Sequence, residues 1–237
     1  MSTLGLIVVT VHPLFTGAQG DEGNARVLRH RAVARGIATT LLTVHGDDRL
    51  PAADIYLLGG VDQYGQVELA QRLRGEGGLR RAVGRGAVVL GVGTGYQLLG
   101  EWFTTPDGHR HAGTGLLDVR CVPGEEAYGP VVTLPGGALD LPACSGYESH
   151  TARADLGPDA TPLARLEVGI GNGDRTDGAV TGRVVGTWMH GPVLARNPEF
   201  ADTLLAWAVG APLADLAPGF ATAVRAQRLA EDRAPTR

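Results

Sequence analysis

Lysine is missing from this chain of 237 residues: all 21 basic side chains are arginine, set against 25 acidic ones for a formal net charge of -4. No basic excess remains to neutralise a phosphate backbone, which argues against nucleic acid as the main partner. Cysteine is nearly absent too. Cys121 and Cys144 are the only two, and neither sits in a CxxC or in a cysteine and histidine cluster with zinc spacing, so neither a disulfide framework nor a structural zinc site is expected. Five further histidines (His12, His30, His45, His109 and His111) read as loop or solvated-face residues, and no metal is expected despite the His-x-His at 109 and 111. No apolar run reaches the roughly 18 to 20 residues that span a bilayer, and the start, Met1-Ser2-Thr3-Leu4, lacks the basic region of a signal peptide. The expectation is a cytoplasmic protein without a membrane span, of a length that suits one globular domain with a small appendage.

Glycine, at 36 residues, is what the chain has in quantity, and it punctuates a regular alternation. Leu4 to Val11 is a short apolar run rich in β-branched residues, as a strand covered on both faces reads. Asp21 to Gly36 then places Val27, Leu28, Ala32 and Val33 at helical spacing among arginines and stops at glycine. Ile37 to Val44 and Asp54 to Leu58 read as further strands, Gln66 to Val83 as a helix, and Ala87 to Val92 as a fourth strand. The pattern predicts an open, mostly parallel α/β sheet flanked by helices. From about Gly113 to Gly186 the helical period fades, and strand-like pieces such as Pro130 to Leu134 and Ala179 to Trp188 alternate with turns, so this half should be β-rich and wrap the sheet. Asn197 to Val209 reads as a helix opened by Pro198, with Phe200, Leu204, Leu205 and Ala208 on one face. The expected division is one domain over residues 1–217 and a helical tail over 218–237, with a helix at Ala221 to Glu231.

The most informative stretch is Ala87-Val88-Val89-Leu90-Gly91-Val92-Gly93-Thr94-Gly95-Tyr96-Gln97-Leu98-Leu99-Gly100. A buried strand runs into a glycine-flanked turn that opens a helix, the local geometry of a nucleophile elbow. A dinucleotide fingerprint also places glycines between strand and helix, but Tyr96 stands where its last glycine belongs and the turn follows the fourth strand, not the first.

The stretch resembles the elbow of class I glutamine amidotransferases, in the branch of cobyric acid synthase and the glutaminase subunit of lipid II isoglutaminyl synthase, whose text is close to G-I-C-G-G-Y-Q-L-L-G. Further matches follow in order: Gly20-Asp21-Glu22-Gly23-Asn24, Leu58-Gly59-Gly60-Val61-Asp62-Gln63, Gly113 to Asp118, Gly146-Tyr147-Glu148-Ser149-His150, and Gly186 to Pro198 around His190. The resemblance implies a flavodoxin-like amidotransferase fold, no cofactor, and a heterodimer with a Mur-ligase-like ATP-dependent synthetase that amidates the cell-wall precursor lipid II in peptidoglycan synthesis. It also implies a cysteine nucleophile, a histidine proton shuttle at His190, and oxyanion or substrate contacts at Gly60, Thr94, Gly95 and Gln97.

The cysteine position falls on Gly93. Loss of a covalent nucleophile costs on the order of 10⁶ in kcat for a comparable hydrolase, so ordinary glutaminase activity should be negligible. Glu126 stands where the isoglutaminyl branch carries a carboxylate-binding arginine, although the loop Val122 to Glu126 also reads as a solvated acidic turn. Thr94 and Cys144 are the candidates for a substitute nucleophile, Cys121 reads as core, and His150 is compatible with either a structural or a pocket position. Because Gly93 and Thr94 both depart from the family text, natural divergence accounts for the gap better than a single engineered knock-out. Three readings follow: a non-hydrolytic scaffold or regulatory subunit of a ligase, an enzyme repurposed around His190 for another small-molecule or peptidyl substrate, and a glutaminase with a substitute nucleophile.

Overall fold

A computed structural model describes residues 5–11, 21–45, 48–60, 63–217 and 219–234. In chain order the elements are β1 (Gly5–Val11), α1 (Gly23–Val33), β2 (Ala38–Val44), β3 (Ile55–Leu58), α2 (Gln63–Glu76), α3 (Gly78–Gly84), β4 (Val88–Val92) and α4 (Thr94–Leu99). There follow β5 (Trp102–Thr104), β6 (Arg110–Ala112), β7 (Val119–Thr133), β8 (Ser145–Leu156), β9 (Ala164–Val168), β10 (Thr176–Asp177), β11 (Ala179–Thr181), β12 (Val184–Thr187), α5 (Val193–Arg196), α6 (Pro198–Val209) and α7 (Phe220–Arg233).

The expected open α/β sheet is present, with strand order β11-β12-β4-β3-β1-β2. All its pairings are parallel except the edge pair β11 and β12. The β-branched runs bury both faces: Val9, Val11, Val89 and Tyr56 pack into one core layer, and Leu6, Val8, Val88 and Leu90 into the other. The β-rich half forms a second sheet, β10-β9-β7-β5-β6, with β8 paired along β7. A long antiparallel β7–β8 hairpin thus stands beside the carboxyl ends of the parallel strands, through the bridge between Tyr147 and His190.

Several local expectations are corrected. The helix expected over Gln66 to Val83 is two helices, because Gly77 at φ +59° ends α2 and opens α3, a backbone that glycine adopts at little cost. Val33, expected on the buried face of α1, is 56% exposed, and the face is closed by Asn24, Ala25, Leu28 and Ala32. Ala179 to Trp188 is not one strand but a hairpin that turns at Gly182, φ +56°. The acidic loop Val122 to Glu126 lies within β7 as a bulge: Pro123 pairs Ala152 and Ala127 pairs His150, so four steps on one strand oppose two on the other. Proline cannot donate to the ladder, which makes this a natural place for pairing to break. Pro198 does open α6, and Phe200, Leu204 and Leu205 are buried, while Ala208 is only partly so. Leu229 of α7 packs against Val132 and Ala143, and Arg196 pairs with Asp232, which ties this helix to the sheet and to α5.

Candidate functional site

Three strand ends converge at one edge of the parallel sheet. From β4 the chain turns at Gly93, from β3 it leaves through Gly59 and Gly60, and from β12 it delivers Trp188, Met189 and His190. Gly93 has φ +58° and ψ -118°, its N–H donates to the Thr187 carbonyl at 2.9 Å, and its own carbonyl accepts from Tyr96 and Gln97. This is the strained tip the sequence pattern predicts. The flanking glycines serve packing. A Cβ on Gly91 would meet Leu99 at 2.6 Å, and one on Gly95 would run into the Leu58 carbonyl oxygen, so α4 lies directly on the ends of β3 and β4.

His190 is 4% exposed, and its Nδ1 lies 2.9 Å from Oδ2 of Asp21, itself 2% exposed. Against a carboxylate acceptor Nδ1 is the protonated nitrogen, which leaves Nε2 toward the elbow. A Cβ built on Gly93 would lie 2.5 Å from both Nε2 and Cε1 of His190. The imidazole therefore fills the volume that any side chain at position 93 would need. The Gly60 N–H, expected as an oxyanion donor, donates to Asp21 Oδ2 at 3.0 Å. Asp21 consequently holds both the histidine and the loop after β3.

A cleft of about 310 Å³ opens above these groups between the sheet edge and the β7–β8 hairpin. Gly60, Thr94, Gln97, Glu126 and His190 line it, so five of the expected site residues come together. Gly93 sits behind His190, and Gly95 faces the Leu58 carbonyl and not the cleft. Gln97 Oε1 accepts from Gln66 Nε2 at 3.0 Å, which fixes one side of the floor. Cys144 is 2% exposed and outside the cleft; burial pushes its thiol up to about 12, and burial likewise pushes up Cys121. Of the two candidates for a substitute nucleophile, Cys144 is therefore not at the site, whereas Thr94 lines the cleft. His12, Val61 and Asp62 lie outside the described residues, and among the described residues no group of three His, Cys, Asp or Glu is arranged to hold a metal ion.

Residues that the sequence left unassigned support the cleft. Glu148 is 3% exposed and accepts from the N–H groups of Ile170 and Gly171, both at 2.8 Å. His150 resolves to the pocket wall: its Nε2 is 3.3 Å from Glu148, its Nδ1 2.7 Å from the Ala152 carbonyl, and its ring stacks on Trp188 at 4.0 Å. Behind Trp188, Asp177 accepts from the Thr187 hydroxyl at 2.5 Å and the Trp188 N–H at 3.1 Å. Burial pushes its carboxyl up to about 6, with the Glu148 charge adding to the rise.

That shift has a definite sign. The folded-state value lies above the unfolded value of roughly 3.9, so the folded protein binds the proton more tightly and stability falls as pH rises from about 4 through 6. Asp177→Asn removes the cost of the buried charge. The stability of the variant relative to the parent, from urea unfolding, should increase by about 2–3 kcal/mol between pH values near 4 and near 7.5. A difference that does not change with pH would contradict this account of Asp177.

The architecture and the elbow-plus-histidine arrangement define a protein of the class I glutamine amidotransferase type. Over the whole fold the chain is similar to a solved glutamine amidotransferase at TM-score 0.60 with 19% identity, covering 85% of this chain and 98% of that one. It is similar also to a glutamine amidotransferase from Thermotoga maritima at TM-score 0.53 with 14% identity, covering 98% of this chain and 94% of that one. Residues 7–198 match the model of the CobB/CobQ-like glutamine amidotransferase domain, and the chain belongs to that family. Among curated proteins it is 29% identical over 192 residues to the lipid II isoglutaminyl synthase (glutamine-hydrolyzing) subunit GatD of Staphylococcus aureus, covering 78% of this chain and 76% of that protein. It is 38% identical over 132 residues to the cobyric acid synthase of Rhizorhabdus wittichii, which spans 52% of this chain but only 24% of that longer protein.

Proposed function

We propose that this chain is a glutamine amidotransferase-like subunit that has given up glutamine hydrolysis and acts as a scaffold or regulatory partner of a Mur-ligase-like ATP-dependent amide synthetase. The observation that carries the reading is position 93. A glycine occupies the tip of an otherwise intact elbow, and the His190 ring lies where a nucleophile side chain would start. Cysteine-based attack on a carboxamide needs a thiolate at that tip and a histidine beside it, not in its place. The similarity to proteins named as subunits of lipid II isoglutaminyl synthase supports a synthetase partner and a place in cell-wall precursor amidation. The absence of any described helix long and apolar enough to cross a membrane is compatible with a cytoplasmic complex.

Co-expression with a Mur-ligase-like synthetase from the same organism tests the reading. The expected result is a stable heterodimer whose ligase activity with free ammonia depends on this chain. A ligase that keeps full activity with free ammonia and does not co-purify would overturn it. The buried Asp21–His190 pair beside an open cleft favours one second reading, an enzyme repurposed to use His190 as acid or base on a substrate other than glutamine. On that reading His190→Ala abolishes turnover, whereas on the scaffold reading it leaves the ligase-supporting role intact.

A further inference from the structure

The charge of the cleft separates it from a site for a free amino acid. Among the described residues Glu126 is the one carboxylate that lines the cleft, exposed and without an ion-pair partner. Among the described residues no arginine lines the cleft, and the chain contains no lysine. Arg153, further along β8, is committed to Asp155 at 2.8 Å. Each histidine of the lining already faces a carboxylate, His190 that of Asp21 and His150 that of Glu148. Asp21 itself is held through Oδ2 by His190 and the Gly60 N–H, while its Oδ1 is buried without a hydrogen-bond partner among the described residues, so the floor offers a carboxylate no further donor from this side. Other polar groups of the lining, among them Gln66, Gln97, Thr105 and Ser149, are neutral and able both to donate and to accept.

We propose that the cleft is an amine site: it takes a small ligand that carries an ammonium group beside a neutral carboxamide or hydroxyls, and it disfavours a ligand with a free α-carboxylate. A carboxylate entering this space meets Glu126 without an arginine or lysine among the described residues to receive it, whereas an ammonium group finds Glu126 at the rim. The neutral amides and hydroxyls then hold the remainder of the ligand by hydrogen bonds. Such a site needs no ligase partner to be present, and it is compatible with sensing as well as with turnover.

L-Glutamine and L-glutamine α-amide are the probes, because both carry the ammonium and the side-chain carboxamide and only the first carries the carboxylate. Binding is measured by backbone amide shifts in the full-length protein, which also report whether Thr94, Gln97 and Ser149 respond. The α-amide should bind at least about fivefold more tightly than glutamine at low salt, with the preference shrinking as salt is added. Glu126→Gln should reduce the preference to below about twofold, and Glu126→Arg should reverse it. Glu126 is exposed, so both variants are expected to fold. Equal or tighter binding of glutamine by the parent protein overturns the proposal, as does a preference that survives Glu126→Gln. Failure of both probes to bind at millimolar concentration, or shifts confined to residues outside the cleft, overturns it equally. None of these outcomes touches co-purification with a ligase, so the two proposals fail separately.

Discussion

Gly93→Cys should turn a protein that native alkylation leaves untouched into one that iodoacetamide modifies within minutes near pH 7, with a rate at least about 100-fold above background. The parent protein offers no reactive thiol, because Cys121 and Cys144 are 1% and 2% exposed and burial pushes the second to about 12. A thiolate fraction of about 10⁻⁵ near pH 7 follows for Cys144 even before access is considered. A cysteine at 93 begins with its Cβ 2.5 Å from two His190 ring atoms, so the imidazole must retreat by roughly 1 Å to reach ordinary contact near 3.5 Å. That retreat lengthens the bond to Asp21 and leaves thiol and imidazole adjacent, the arrangement that lowers a cysteine pKa to between roughly 3.5 and 7.5. The backbone at Gly93, φ +58° and ψ -118°, lies in a region that residues with a Cβ sparsely populate and adds about 1–3 kcal/mol of strain. Mass spectrometry of the native variant, with urea-unfolded protein as the full-labelling control, reads the result. A thiol at 93 as inert as the two buried ones would mean that His190 does not yield.

Asn197→Ala should be among the most destabilising single changes available. This side chain is 1% exposed and joins three elements: its Oδ1 accepts from the Ser145 N–H at 2.9 Å, and its Nδ2 donates to the carbonyls of Ser145 and Val193, both at 2.8 Å. The start of β8 is thereby fastened to α5 and to the first turn of α6. Alanine leaves the Ser145 backbone groups buried without these partners, at a cost of about 3–5 kcal/mol, which for a chain of this size lowers Tm by roughly 10 °C. Asn197→Asp keeps the acceptor but loses both donors and buries a charge, so it should do no better. Thermal unfolding of both variants checks this, and a loss below about 1 kcal/mol in each would show that Asn197 is not the fastening described.

The parallel sheet was legible because its inner strands are largely buried and so read as unbroken apolar runs, as at Leu4 to Val11 and Ala87 to Val92, while β2 at the edge is mostly exposed or half-buried. The elbow was legible for a related reason: small residues at 91, 93 and 95 are demanded by close packing and by a positive φ, and such demands leave a mark on composition. What escaped was the product of contacts distant in sequence. Asp21 lies 169 residues from His190 and reads locally as an acidic residue before a helix, so its grip on the histidine and on the Gly60 N–H has no local signature. The Glu148–His150–Trp188 stack is similar, since each member is unremarkable alone. The misread pieces have single physical causes. Gly77 divides a helix whose periodicity continues across it, Gly182 folds one apolar run into two strands, and Pro123 with its acidic neighbours mimics a turn inside a long strand.

The most direct test of the central claim is ammonia release from glutamine by the purified protein, alone and with a Mur-ligase-like synthetase from the same organism, each compared with a buffer blank. Because a missing nucleophile costs on the order of 10⁶ in kcat, the parent chain should be indistinguishable from the blank in both cases. Sustained, enzyme-concentration-dependent ammonia release by the parent chain would contradict the account, since neither Gly93 nor the buried cysteines supply a nucleophile and Thr94 would then have to act as one.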